Sequence, residues 1–212
     1  MLFAKAVRGT IRQRNAPAFL AGVVVLLLTV VVSCGKNIDN SSAQLQRDKK
    51  IIAAWIADHC LTPEGDIIAL SQVPASASQG YIPLEDTAQA VGNMYIVHIR
   101  QGKGDRGTSY GRALIHFQGY YLHDMQVFDS VWGDQAPYSL WISGSIQGFR
   151  SGLPAMRSGT PDATQPSGYA SPGEAWFILP STMAFGQDGR EDPPVPSNTC
   201  VAYRVIFYGV GL

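Results

Sequence analysis

From Met94 onward, β-branched and aromatic residues recur with a period of two in runs too short for ordinary helices, and Gly, Pro, Asp and Ser interrupt them. The runs are Met94 to Arg100, Arg112 to Phe117, Tyr138 to Ile142, Glu174 to Leu179 and Cys200 to Tyr208. A period of two sends alternate side chains to opposite faces of a sheet, and turns between the runs favour antiparallel pairing. Only Ile146 to Met156 reads as a short helix among them. The expected architecture is therefore α+β, a mostly antiparallel twisted β-sheet packed on one short α-helix. With 46% hydrophobic and 15% charged residues the chain has a core to bury, which excludes a disordered protein.

The N-terminus carries a different kind of information. Lys5, Arg8, Arg12 and Arg14 precede an apolar run from Ala18 to Val32, the basic and hydrophobic regions of a secretory signal. The run closes in Val31-Val32-Ser33-Cys34, which resembles the lipobox of bacterial lipoproteins and implies cleavage before Cys34 and acylation of its thiol. The alternative is an uncleaved N-terminal anchor, although a spanning helix normally takes about 20 apolar residues. Both readings put the rest of the chain outside the cytoplasm, in the cell envelope, attached to the membrane and facing the periplasm. Without those four basic residues 12 Lys and Arg face 16 Asp and Glu, a net charge of −4. That excludes a general nucleic-acid binder, which needs basic surface to displace phosphate counterions.

The expected division is a signal peptide over 1–33, a tether, amphipathic helix and connector over 34–92, and a folded domain over 93–212. Leu45, Ile52, Trp55, Ile56 and Cys60 recur at helical spacings of three, four and seven, and Thr62-Pro63-Glu64-Gly65 ends the pattern. Ser71 to Ala90 has neither period and reads as a connector. Cys60 and Cys200 are left to pair in an oxidising compartment, pinning the helix to the last strand, or to remain two buried thiols. Gly102-Lys-Gly104-Asp-Arg-Gly107 spells a dinucleotide fingerprint, but another strand follows where a helix is needed. His59, His98, His116 and His123 have no metal-ligand spacing, and no Gly-x-Ser-x-Gly elbow occurs. Neither a metal nor a cofactor is expected.

Six blocks in order resemble the FKBP-type peptidyl-prolyl cis-trans isomerase domain. They are Ile115-His-Phe-Gln-Gly-Tyr-Tyr-Leu122, Val127-Phe-Asp-Ser130, Ala136-Pro-Tyr-Ser-Leu-Trp-Ile142, Ser145-Ile-Gln-Gly-Phe-Arg-Ser-Gly-Leu-Pro-Ala-Met156, Ile178-Leu-Pro-Ser-Thr-Met-Ala-Phe-Gly186 and Pro193 to Tyr208. The resemblance implies an FKBP-like fold and an apolar prolyl pocket, with Phe117, Phe128, Asp129 and Phe185 as catalytic positions. Tyr138, Ile146, Phe149 and Tyr203 would bind substrate. It implies proline-containing unfolded or partly folded envelope proteins as clients, or a catalytically weak peptide-binding or assembly subunit. Phe117 and Phe185 stand where the family has Tyr, and Phe149 where it has Trp. Pro154 falls in the short helix, and Thr160 to Pro172 is an insertion in place of a tight turn.

Metabolic labelling with a fatty-acid analogue is expected to mark the wild-type protein and to miss Cys34→Ala. Equal labelling of the two would contradict the lipoprotein reading.

Overall fold

A computed structural model describes residues 41–76, 79–133 and 136–211. Cys34 and the apolar run before it lie outside the described residues, among which no helix is long and apolar enough to cross a membrane. The first helix, α1, runs over 41–57 and buries the stripe Asp48, Ile52 and Ile56, one residue per turn. It stops earlier than its apolar spacing suggests. The chain turns at Asp58 into strand β1 (His59–Leu61), so Cys60 sits in a strand instead of closing the helix. β1 pairs with β2 (Ile67–Ala69) across Thr62 to Asp66. The Pro-Glu-Gly signal is therefore a hairpin turn, with Gly65 in the left-handed region at φ +84. The connector also carries structure: β3 (Ile82–Pro83) pairs with β1, helix α2 (Leu84–Thr87) follows, and β4 (Gln89–Val91) joins the main sheet. Pieces of two to four residues are too short to display a period.

The main sheet is antiparallel throughout. Its strands are β4, β5 (Met94–Arg100), β6 (Arg112–Tyr121), β7 (Val127–Val131), β8 (Tyr138–Trp141), β11 (Gly173–Leu179) and β12 (Val201–Gly211). Their order is β4-β5-β11-β12-β6-β7, with β8 paired to the N-terminal half of β6 and β7 to its C-terminal half. The insertion folds into a small hairpin of β9 (Thr160–Pro161) and β10 (Tyr169–Ala170). Tyr203, Val205 and Phe207 on β12 share one face with Phe177 and Leu179 on β11 and with Met94 and Ile96 on β5, forming the larger core. Ala202, Trp176, Ile178 and Val97 point the other way, into a second core closed by Ile52 and Ile56 of α1 and by Leu61 and Ile67 of the hairpin. The sheet is thus buried on both faces.

On the first face lies α3 (Gln147–Gly152), continued by a 3-10 turn, Leu153–Ala155, that accommodates Pro154. Two glycines four residues apart let it lie almost on the strand. A methyl group at Gly148 would come 2.3 Å from Leu179 Cδ1, and one at Gly152 would come 2.6 Å from the Phe177 ring. On the opposite face polar ties hold α1 and the hairpin. The buried Asp48 carboxylate accepts hydrogen bonds from the Ser181 N–H (2.9 Å) and hydroxyl (2.6 Å) at the end of β11. Arg204 donates to Glu174 (2.9 Å) and to the Glu64 carbonyl, while Trp176 Nε1 donates to the Gly65 carbonyl (2.8 Å). Cys60 and Cys200 are both buried and both free, so the bridge considered above does not form.

Gly152→Ala is expected to destabilise the domain by about 1–3 kcal/mol, the usual cost of overpacking, despite the helix propensity of Ala. Equilibrium denaturation measures this. Burial, and then the negative charge of Asp48, push the Cys200 thiol up to about 12. An unfolded thiol ionises near pH 9, so this group's stabilisation is fully present below pH 9 and is lost as the pH rises toward 12. Cys200→Ala should flatten the decline in unfolding free energy between pH 9 and 11.

Candidate functional site

The site grows from one transverse row of the sheet. Tyr203 on β12 and Asp129 on β7 both lie opposite Gly119 on β6, so the three share a face. The missing side chain at Gly119 makes room for two rings: a methyl group there would come within 2.8 Å of both Phe128 Cζ and Tyr203 Cε1. The β6–β7 register shifts between Gly119 and Tyr120, so Phe128 and Asp129 fall at a bulge. The extra residue brings the Phe128 ring onto the core side, against Tyr203 (centroids 5.7 Å apart) and Phe185 (6.2 Å). Two residues back along β6, on the same face, stands Phe117.

These groups border a cavity of about 360 Å³. Phe117 and Tyr203 line one side, Asp129 and Val131 come from β7, and Tyr138 and Leu140 from β8. Ser145 and Ile146 lead into α3, whose first turn supplies Phe149, and the segment between β11 and β12 supplies Phe185 and Arg190. Phe149 is the buried floor, with its ring centroid 5.0 Å from Tyr203, 6.2 Å from Phe117 and 6.0 Å from Phe177. Most of these pairs are edge-to-face, the arrangement that aromatic quadrupoles favour. The glycine-tight seat of α3 on β11 is what brings Phe149 this low.

Seven of the eight expected site residues outside the N-terminus meet at this cavity: Phe117, Asp129, Tyr138, Ile146, Phe149, Phe185 and Tyr203. Phe128 does not line it. The bulge packs its ring against Tyr203 and Phe185, two residues that do line the cavity. Sequence reasoning missed Val131, Leu140, Ser145 and above all Arg190. Arg190 Nη1 donates to Asp129 Oδ2 at 2.9 Å, its Nε donates to the Asp192 carbonyl at 2.8 Å, and its guanidinium lies 5.5 Å from the Phe185 ring centroid. Within Asp188-Gly-Arg-Glu-Asp192 it reads as one more charged turn residue. The segment is well tied: Arg190 and Val195 exchange backbone hydrogen bonds at 2.8 Å, the Asn198 N–H donates to the Gly186 carbonyl at 2.7 Å, and the Tyr121 hydroxyl donates to the Pro194 carbonyl.

The electrostatics are local. The Ser145 hydroxyl is spent on the Ile142 carbonyl at 2.7 Å. Burial raises the Tyr203 phenol well above its ordinary range, and the Asp129 carboxylate raises it further while Arg190 opposes. Tyr203 therefore stays protonated as a donor at any ordinary pH. The glycine-rich stretch before β6 has a packing explanation instead of a phosphate. Methyl groups at Gly102, Gly104 and Gly107 would each sit 2.1 Å from a backbone carbonyl, those of Ser158, Gly159 and Leu153.

No family model matches the chain, and no curated protein does. Among solved structures, the chain is similar to a peptidyl-prolyl cis-trans isomerase from Pseudomonas syringae pv. tomato. The identity is 18% over 59% of this chain and 81% of that one, with a TM-score of 0.48. It is also similar to the N-terminal domain of FKBP42 from Arabidopsis thaliana, with 19% identity over 66% of this chain and 98% of that one and a TM-score of 0.49. In this chain the six blocks occupy β6, β7, β8, α3, the end of β11 with its following turn, and β12, in the expected order around one helix.

Gly119→Ala is expected to push Phe128 and Tyr203 apart and narrow the cavity, weakening any ligand held there more than it lowers the unfolding midpoint. Isothermal titration with a proline-containing peptide beside thermal denaturation tests this.

Proposed function

We propose that this chain is a peptidyl-prolyl cis-trans isomerase of the FKBP type, held in the cell envelope by lipid on Cys34 and acting on proline-containing unfolded or partly folded envelope proteins. One observation carries the reading. Residues from all six sequence blocks, Phe117, Asp129, Tyr138, Ile146 with Phe149, Phe185, and Tyr203, converge on a single cavity of about 360 Å³ with an aromatic floor. Each aromatic alone would be ordinary core. Their convergence on one open space, in the order that the resemblance implies, is not explained by core packing.

The chemistry asks for little more than this. Amide resonance sets a barrier of roughly 18–20 kcal/mol to rotation of the peptide bond, and prolyl bonds accordingly isomerise over tens to hundreds of seconds. In the twisted transition state the resonance is lost, so the carbonyl carries less charge and the nitrogen is more pyramidal than in the planar amide. A water-poor aromatic surface penalises the polar planar form more than the twisted one, which is binding selective for the transition state. Phe149, Ile146 and Phe117 supply that surface, and a few donors at the rim hold the chain while it turns. No covalent step is needed.

A second reading, a prolyl-peptide binding module with little turnover, is favoured by one feature: Phe117 and Phe185 contribute no hydroxyl to the cavity. Turnover separates the two. The full-length protein in detergent is expected to accelerate cis-to-trans conversion of a proline tetrapeptide and the proline-limited phase of a refolding client. Tyr138 is about half exposed, so Tyr138→Ala should leave the unfolding midpoint nearly unchanged while lowering kcat/KM about three- to tenfold, equivalent to about 1 kcal/mol of lost contact. Binding of the peptide with no acceleration would favour the module.

A further inference from the structure

We propose that Arg190 and Tyr203 are the side chains that hold the peptide carbonyl in this cavity, so that the donors of the site lie away from the two positions occupied by Phe117 and Phe185. The inference rests on the prolyl-site reading above and concerns which groups position the substrate.

The cavity lining holds few polar side chains. Phe117, Val131, Leu140, Ile146, Phe149 and Phe185 offer no polar side-chain atom. Asp129 can only accept when ionised, and its Oδ2 already receives Arg190. The Ser145 hydroxyl points its proton at the Ile142 carbonyl. Tyr138 is about half exposed, so it is held less firmly than the buried lining. The side-chain donors that remain on the inner lining are the Tyr203 hydroxyl and the Arg190 guanidinium.

Both are set up for the task. Tyr203 is buried and held in place by rings on three sides: Phe149 at 5.0 Å, Phe128 at 5.7 Å and Phe117 at 6.2 Å. It shares its sheet row with Asp129 across the side-chain-free Gly119, where its ring packs, and the charges of Asp129 and Arg190 both act on its phenol. Arg190 is fixed at two points, by Asp129 at 2.9 Å and by the Asp192 carbonyl at 2.8 Å, with its plane over Phe185. A guanidinium carries five N–H donors in a rigid fork; these two bonds use Nε and one hydrogen of Nη1, so three donors keep no protein partner among the described residues. The ion pair with Asp129 has a consequence of its own: it neutralises the fork, so a neutral carbonyl is not competing with a free anion for a bare cation. Asp129 acts here as a positioning residue, through Arg190.

The test compares Tyr203→Phe, Arg190→Gln, Arg190→Lys and Asp129→Asn in the full-length protein in detergent, assayed on a proline tetrapeptide with thermal unfolding as the control on folding. Tyr203→Phe removes one oxygen and keeps the packed ring, so it is the variant least able to fail for reasons of fold. The expected result is a five- to tenfold fall in kcat/KM for Tyr203→Phe and for Arg190→Gln, carried mainly by KM because the hydrogen bonds exist before rotation. Arg190→Lys should recover part of the loss, since an ammonium can donate but cannot reproduce the fork. Asp129→Asn should lose less than Arg190→Gln, because the guanidinium remains. If Arg190 served only to brace the loop, Asp129→Asn and Arg190→Gln would fall equally in kcat/KM and in unfolding midpoint, and the assignment to Arg190 would be wrong. An active wild type with Tyr203→Phe and Arg190→Gln within twofold of it would overturn the inference and leave the prolyl reading standing. A wild type that neither binds nor isomerises the peptide would remove both.

Discussion

The approach of α3 to β11 governs the rest of the structure. Gly148 and Gly152 are one turn apart on the face that meets Leu179 and Phe177, and neither position has room for a methyl group. A helix with ordinary side chains there would ride higher, and Phe149 would lift away from Tyr203 and Phe117. Instead the helix sinks, its floor ring touches three others edge-on, and a cavity opens between that floor and the curled edge of the sheet at β7 and β8. The concavity therefore depends on backbone contact made possible by two missing side chains. Gly119 repeats the device on β6, where its empty position admits the Phe128 and Tyr203 rings.

The layer behind the sheet is connected to the same site. Asp48 on α1 binds both the N–H and the hydroxyl of Ser181, and the Ser181 carbonyl in turn accepts from the N–H groups of Ala184 and Gly186 on either side of Phe185. One buried carboxylate thus links the N-terminal helix to the turn that delivers Phe185 and, beyond it, Arg190. The other tie, Arg204 with Glu174 and the hairpin turn, fixes the opposite end of that layer. A buried carboxylate is stable only when its lone pairs are occupied, and Gln44 Nε2 at 2.6 Å completes the set around Asp48.

Much of this was readable in the sequence where a residue's role depends on its immediate neighbours. The long strands announced themselves because alternation persists over at least four residues, and the short helix because Ile146 to Met156 breaks that alternation. The site aromatics were found because each sits inside a recognisable block. Features that depend on geometry between distant segments were hidden. The bulge that packs Phe128 against Tyr203 and Phe185 changes no residue type and leaves no mark in the pattern. Cys60 keeps helical spacing from Ile56, yet the pairing of His59–Leu61 with Ile67–Ala69 overrides it. Arg190 and Asp129 are 61 positions apart, so nothing local in either segment hints at their pairing. Gly148 and Gly152 weaken a helix by propensity alone, and only the contact with β11 shows why they stand there.

The central claim is that the cavity floored by Phe149 turns prolyl bonds. Exchange spectroscopy by NMR tests it directly, with a labelled proline peptide in excess over a catalytic amount of the protein. The account predicts exchange cross-peaks between the cis and trans forms at mixing times of tens to hundreds of milliseconds, and contacts from the prolyl ring protons to Phe149, Ile146 and Tyr203. Cross-peaks absent beyond the uncatalysed rate, or prolyl contacts confined to the α1 side of the sheet, would contradict it.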